Sequence, residues 1–154
     1  MPNWCRNRVT ISSNNSDDDS QFKELVKKFK SDRPFNSILP QPDWKNIKNE
    51  DGELPVVREQ KNQDGEVIFT TSEFPKSGKN DDRWYDWANT YWGTKWDIHD
   101  IEVDEDEYYA EFEFETAWCP AEGIFNKIRQ DYPDVAISWF YDEPGCELAG
   151  YLPN

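Results

Sequence analysis

The sequence predicts an α+β fold in which two helices cover one face of an antiparallel sheet, the split βαβ pattern. Three observations carry it. Residues 108–116 and 135–141 alternate apolar and polar with a period of two, as half-buried strands do. Phe22, Leu25, Val26 and Phe29 stand at i, i+3, i+4 and i+7, one face of a helix. The chain is only 36% hydrophobic yet 16% aromatic, with eight tryptophans. Disordered acidic chains are poor in such rings, and large rings bury much area per residue. Residues 1–154 are therefore read as a single folded domain.

The elements follow in order. Arg8-Val9-Thr10-Ile11-Ser12 alternates as a strand. A polar loop rich in capping residues precedes a helix from Ser20 to Lys30, with acids before it and lysines late, as the helix dipole favours. Pro34, Pro40, Pro42, Pro55 and Pro75 then punctuate the chain, and Val56-Val57-Arg58 and Val67-Ile68-Phe69-Thr70 flank a polar loop as a short hairpin. Trp84, Trp87, Ala88 and Tyr91 have helical spacing with Gly93 as the cap, which predicts a short buried helix.

The last third is the most regular. Ile98, Ile101 and Val103 lead to the acidic turn Asp104-Glu105-Asp106-Glu107. The next strand turns Tyr108, Ala110, Phe112 and Phe114 to the core and Tyr109, Glu111, Glu113 and Glu115 to water. Pro120 suits the first turn of a helix whose apolar face is Ile124, Phe125 and Ile128. Val135, Ile137, Trp139 and Tyr141 form a strand, and Glu143-Pro144-Gly145 turns it back into Cys146 to Leu152. The result is βαββαβ plus a C-terminal hairpin strand, the ferredoxin-like pattern. Its core is 1–33 and 97–154, with an aromatic-rich insertion, 34–96, between the first helix and second strand. Trp4, Phe22, Phe29, Phe112, Phe114, Phe125, Ile137 and Trp139 are expected to be buried.

Several strings resemble one family. They are Met1-Pro2-Asn3-Trp4-Cys5-x-Asn7, Phe35-x-x-x-Leu39-Pro40-x-Pro42, Trp84-Tyr85-x-Trp87 to Trp92-Gly93-Thr94-Lys95-Trp96-Asp97, Phe114-x-Thr116-Ala117-Trp118-x-Pro120, and Tyr141-x-Glu143-Pro144-Gly145 to Gly150-Tyr151. They are similar to the YubB-like group of phage- and plasmid-encoded ferredoxin-like proteins. The resemblance implies a ferredoxin-like fold and carriage on a mobile element, and it supplies no activity. One departure is Cys119-Pro120-Ala121, where the group suggests two prolines. Ferredoxin here describes topology: three scattered cysteines provide no iron–sulfur ligand set, and no cofactor is expected.

Charge narrows the function. Thirty-two acids against seventeen bases give a net charge of −15, a field that argues against direct nucleic-acid binding; its plain reading is solubility, and its sharper one an acidic surface that competes with nucleic acid for a basic partner. No apolar run is long enough for a membrane span and no signal segment opens the chain, so a cytoplasmic protein is expected. The leading reading is a non-enzymatic accessory protein of a phage or mobile element that binds a host protein through a nucleic-acid-mimicking acidic surface. Asp17 to Asp19, Asp104, Glu105, Asp106, Glu107, Glu111, Glu113 and Glu115 are its candidate contacts. The alternative is a small-molecule or nucleotide binder whose pocket is Arg83, Trp84, Trp87, Trp92, Lys95 and Trp96, which combine stacking faces with two cations.

Catalysis has no motif behind it. Cys119 precedes a proline-started helix, a position that lowers a thiol pKa, and His99 is the sole histidine available as its base. Pro2 would be an N-terminal amine after loss of Met1. His99 between Asp97 and Asp100 lacks the further ligands a structural zinc needs, and no metal is expected.

Overall fold

A computed structural model describes residues 3–153; Pro2 lies outside them. Strand β1 (Trp4–Ser13) is followed by helices α1 (Ser20–Phe29) and α2 (Pro34–Ile38). Strands β2 (Val56–Lys61), β3 (Val67–Phe74) and β4 (Lys79–Asn80) precede helix α3 (Arg83–Tyr91). Strands β5 (Glu102–Glu105) and β6 (Tyr109–Ala117), helix α4 (Glu122–Asp131), and strands β7 (Val135–Glu143) and β8 (Leu148–Tyr151) complete the chain.

The chain up to Pro40 and from Trp87 onward forms one unit, and Gln41–Asp86 forms another. In the first, five strands lie in the order β5-β6-β1-β7-β8, each neighbouring pair antiparallel. This is the ferredoxin-like order with β8 added at one edge. The sheet has one core face because the strands alternate strictly. Cys5, Asn7, Val9 and Ile11 are buried on β1, as are Ala110, Phe112, Phe114 and Thr116 on β6. Phe112 and Glu113 therefore point to opposite faces, as the period requires.

Helix α1 lays Phe22, Leu25, Val26 and Phe29 on this face, and α4 adds Ile124, Phe125 and Ile128. The rings of Phe29 and Phe112 stack at 4.5 Å, and Trp139 meets Phe114 and Phe125 edge-on. Phe35, Ile38, Trp92 and Ile98 pack into the same core. Asp97 holds α2 in place, its carboxylate accepting the Phe35 and Asn36 amides at 2.8 and 2.9 Å. Trp92 is buried with its Nε1 donating to the Leu39 carbonyl at 2.8 Å. The amide of Gly123 donates to the Trp92 carbonyl at 3.1 Å, and a Cβ at Gly123 would overlap the Tyr91 carbonyl.

A polar knot ties the sheet below the aromatic core. Buried Asn7 donates from Nδ2 to Thr116 Oγ1 at 2.9 Å and accepts the Trp139 indole N–H at 2.9 Å. The Thr116 hydroxyl in turn donates to the Cys119 carbonyl at 2.6 Å. Every partner is satisfied, so the buried polar groups carry little penalty.

In the second unit β2, β3 and β4 form a three-stranded sheet in that order. The hairpin of 56–61 and 67–74 follows the sequence reading, but Val56, Val57, Val67, Ile68 and Phe69 are exposed.

Four expectations need correction. Trp4 is 43% exposed, because period two puts it with Arg6 and Arg8 on the outer face of β1. Tyr108 is 75% exposed, since it sits in the turn before β6 begins. Helix α3 buries only Ala88, while Trp84, Tyr85 and Tyr91 are exposed. Pro120 lies ahead of α4, whose N-cap is Ala121.

Candidate functional site

Among the described residues, α1 and α4 pack on one face of the five-stranded sheet, and the other carries a groove of about 1150 Å³. Antiparallel register builds its floor. Arg6 lies between Glu115 of β6 and Asp142 of β7, and Arg8 between Glu113 and Phe140. Glu102 of β5 stands beside Glu113. The segment from Trp96 to Ile101 lines one side, and Trp4 joins it at one end.

The Trp4 and Trp96 rings lie 6.0 Å apart, tilted by 36°. The Lys95 ammonium sits 4.1 Å from the centre of the Trp96 ring, and the Arg8 guanidinium 5.2 Å from that of Phe140. Both are cation–π contacts. Phe140 continues to Tyr151 at 5.2 Å. Trp118, also exposed, has φ +73°, a conformation that costs about 1–3 kcal/mol in a bulky residue. Its amide donates to the Asn3 carbonyl at 2.8 Å, which fixes the turn beside the start of β1.

The predicted acidic contacts divide. Glu113 and Glu115 stand exposed on the groove floor and Glu111, half-buried, follows on the same face. Asp106 forms the hairpin turn, its Oδ1 accepting the Tyr108 and Tyr109 amides at 2.7 and 2.8 Å. Glu105 pairs with Lys30, and Asp104 and Glu107 are exposed. Asp104, foremost, with Asp106 and Glu111 pushes the Tyr109 hydroxyl pKa up. Asp18 accepts the Ser20 amide at 3.0 Å ahead of α1, and hydrogen bonding from the Ser20 side chain foremost, then from this amide, holds its carboxyl below the usual range. Asp19 pairs with Lys23, and Asp17 is exposed.

The predicted aromatic site also divides. Arg83 and Trp84 belong to the second unit; Trp87, Trp92, Lys95 and Trp96 belong to the first. Arg83 grips Asp81 through Nε and Nη2 at 2.8 and 2.9 Å and lies over the rings of Trp44 and Phe74. This pairing holds the Asp81 carboxyl below its ordinary range. Trp92 is in the core, and half-buried Trp87 packs against it and Tyr91. Trp96 alone of the six lines the groove, with Lys95 on its ring.

The expectation of a lowered Cys119 pKa is overturned. Burial, with the charges of Glu143 and Glu122, pushes the thiol up, and its Sγ lies 2.9 Å from the Gly93 carbonyl. Burial also pushes Cys5 up to about 11. His99 lines the groove, while Asp97 beside it is committed to α2. Among the described residues no group of three or more His, Cys, Asp or Glu side chains is placed to hold a metal ion. No described helix is long and apolar enough to cross a membrane.

Sequence reasoning missed Trp4, Arg6, Arg8, Asp142 and Phe140 as groove residues. The alternation Trp4-x-Arg6-x-Arg8 was a usable signal, since it put three large polar or aromatic side chains on the face opposite Cys5, Asn7 and Val9. Neither a curated protein nor a solved structure matches the chain. Residues 91–153 match a family described as a ferredoxin-like domain in Api92-like protein. That match spans β5 to β8 and α4, and with the strand order it shows that the unit with the five-stranded sheet has a ferredoxin-like fold.

Proposed function

We propose that this is a non-enzymatic accessory protein of a phage or related mobile element, which acts in the host cytoplasm by binding a basic protein. The open face of the five-stranded sheet is its binding surface. The groove carries the reading: Asp100, Glu102, Glu113, Glu115 and Asp142 line it against two arginines. A cationic partner is favoured there, and the net charge of −15 steers the same class of partner from a distance. Nucleic acid would meet repulsion at long range from the net charge of −15. Trp4 and Trp96, at 43% and 40% exposure, supply the aromatic anchors that binding surfaces favour.

The test is binding of the intact protein to a basic protein and to a single-stranded oligonucleotide, at low and high salt. The reading predicts capture of the basic protein, weakened by salt because exposed charges are screened, and further weakened by Glu113→Gln with Glu115→Gln. Preference for the oligonucleotide, or indifference to both salt and the double variant, would count against it.

A second reading, a small-molecule or nucleotide binder, has one observation behind it. Lys95 and Trp96 put a cation and a half-exposed ring side by side at the groove. It ranks second because Arg83 and Trp92 are engaged in structural contacts.

A further inference from the structure

The charges of the open face run in rows along the strands. Glu111, Glu113 and Glu115 occupy alternate positions of β6, with Asp104 and Glu102 of β5 beside the first two. Arg6 and Arg8 form a parallel row on β1. Among the described residues neither arginine closes an ion pair with these neighbours. The acidic row is therefore not neutralised by short contacts across the sheet.

Alternate residues of a strand are roughly 7 Å apart. An extended peptide repeats at the same interval, so basic residues at its alternate positions would each meet one carboxylate. Contiguous basic residues point to opposite sides, and half of them would face away. The arginine row repels cations and thereby confines such a segment to the β5–β6 side, between Arg6 and Arg8 and the 96–101 wall. At the end of this track Trp4 and Trp96 present partly exposed rings. Lys95 on the Trp96 ring is an intramolecular example of the contact such a ring makes with a cation.

We infer that the groove takes an extended segment of a partner protein with lysine or arginine at alternate positions, its end residue seated against Trp4 and Trp96. The inference rests on the proposed function and narrows it to a spacing and an anchor. Along β6 the groove floor runs from Glu113 to Ala117, which pairs with Trp4, and suits a segment of about five residues.

The experiment measures fluorescence anisotropy of two labelled peptides with the intact protein. One peptide has basic residues at alternate positions; the other has identical composition with the basic residues contiguous. The alternating peptide should bind about fivefold tighter, the upper end of what one additional exposed ion pair contributes. Glu113→Gln with Glu115→Gln should erase the difference, and Trp96→Leu should weaken the alternating peptide while circular dichroism stays unchanged. Equal affinity for the two isomers would overturn the inference and leave the acidic-face reading standing. Failure of both peptides to bind would overturn both. A stable dimer of this chain that excludes the peptide, seen by sedimentation, would also overturn the inference.

Discussion

The Trp4 indole lies 6.0 Å from that of Trp96, so the first strand and the segment after α3 meet at one end of the groove. Both rings are about two-fifths exposed, which separates their role from that of the buried tryptophans. Trp96→Ala should lower stability by less than about 1.5 kcal/mol, as for a half-exposed side chain. Trp139→Ala, at a site with no exposure, should cost about 3–5 kcal/mol. Urea unfolding of the two variants measures the difference, and equal losses would show that Trp96 is core.

Asn7→Ala removes the acceptor of the buried Trp139 indole N–H and one partner of Thr116. Leaving such groups unpaired costs about 1–3 kcal/mol. The denaturant midpoint should fall with the slope unchanged, and a neutral result would mean water replaces the side chain.

Gly123 is required by close approach. A Cβ there meets the Tyr91 carbonyl, with the Trp92 peptide also near. Gly123→Ala should destabilise by about 2 kcal/mol or more, because backbone must shift to relieve the overlap. Thermal unfolding checks this; an unchanged midpoint would mean that the two segments separate freely.

The cysteines predict a pH effect. The Cys5 pKa is raised from 9.0 to about 11, burial foremost. Its folded-state proton is held more tightly than its unfolded one, so its contribution to stability is intact below pH 9. It is lost as pH rises from 9 to about 11. Cys5→Ala should flatten this part of the stability profile in denaturant titrations across that range. In native protein a thiol reagent should modify exposed Cys146 first and buried Cys5 last.

Period-two and helical spacing made the elements legible, because each strand and helix advertises its own buried face. Glu113 and Glu115 on an outer face could thus be read from β6 alone. Their neighbours could not, because Arg8 meets Glu113 and Arg6 meets Glu115 only through a register between distant strands. The tryptophans of 84–96 looked like one cluster from spacing, but spacing carries no exposure. Trp92 turned inward to Leu39 while Trp96 turned to Trp4. From sequence Arg83 reads as a cation beside stacking rings, and its partners Asp81 and the Trp44 ring are set by the fold.

The central claim is that the open sheet face binds a basic partner, and amide and indole NMR shifts during titration with the alternating basic peptide test it most directly. Saturable shifts are expected at Trp4, Trp96, Glu113 and Glu115, and at Arg6 and Arg8 along the edge of the track, shrinking as salt is raised. Shifts confined to the exposed hairpin of 56–74, or none at all, would contradict it.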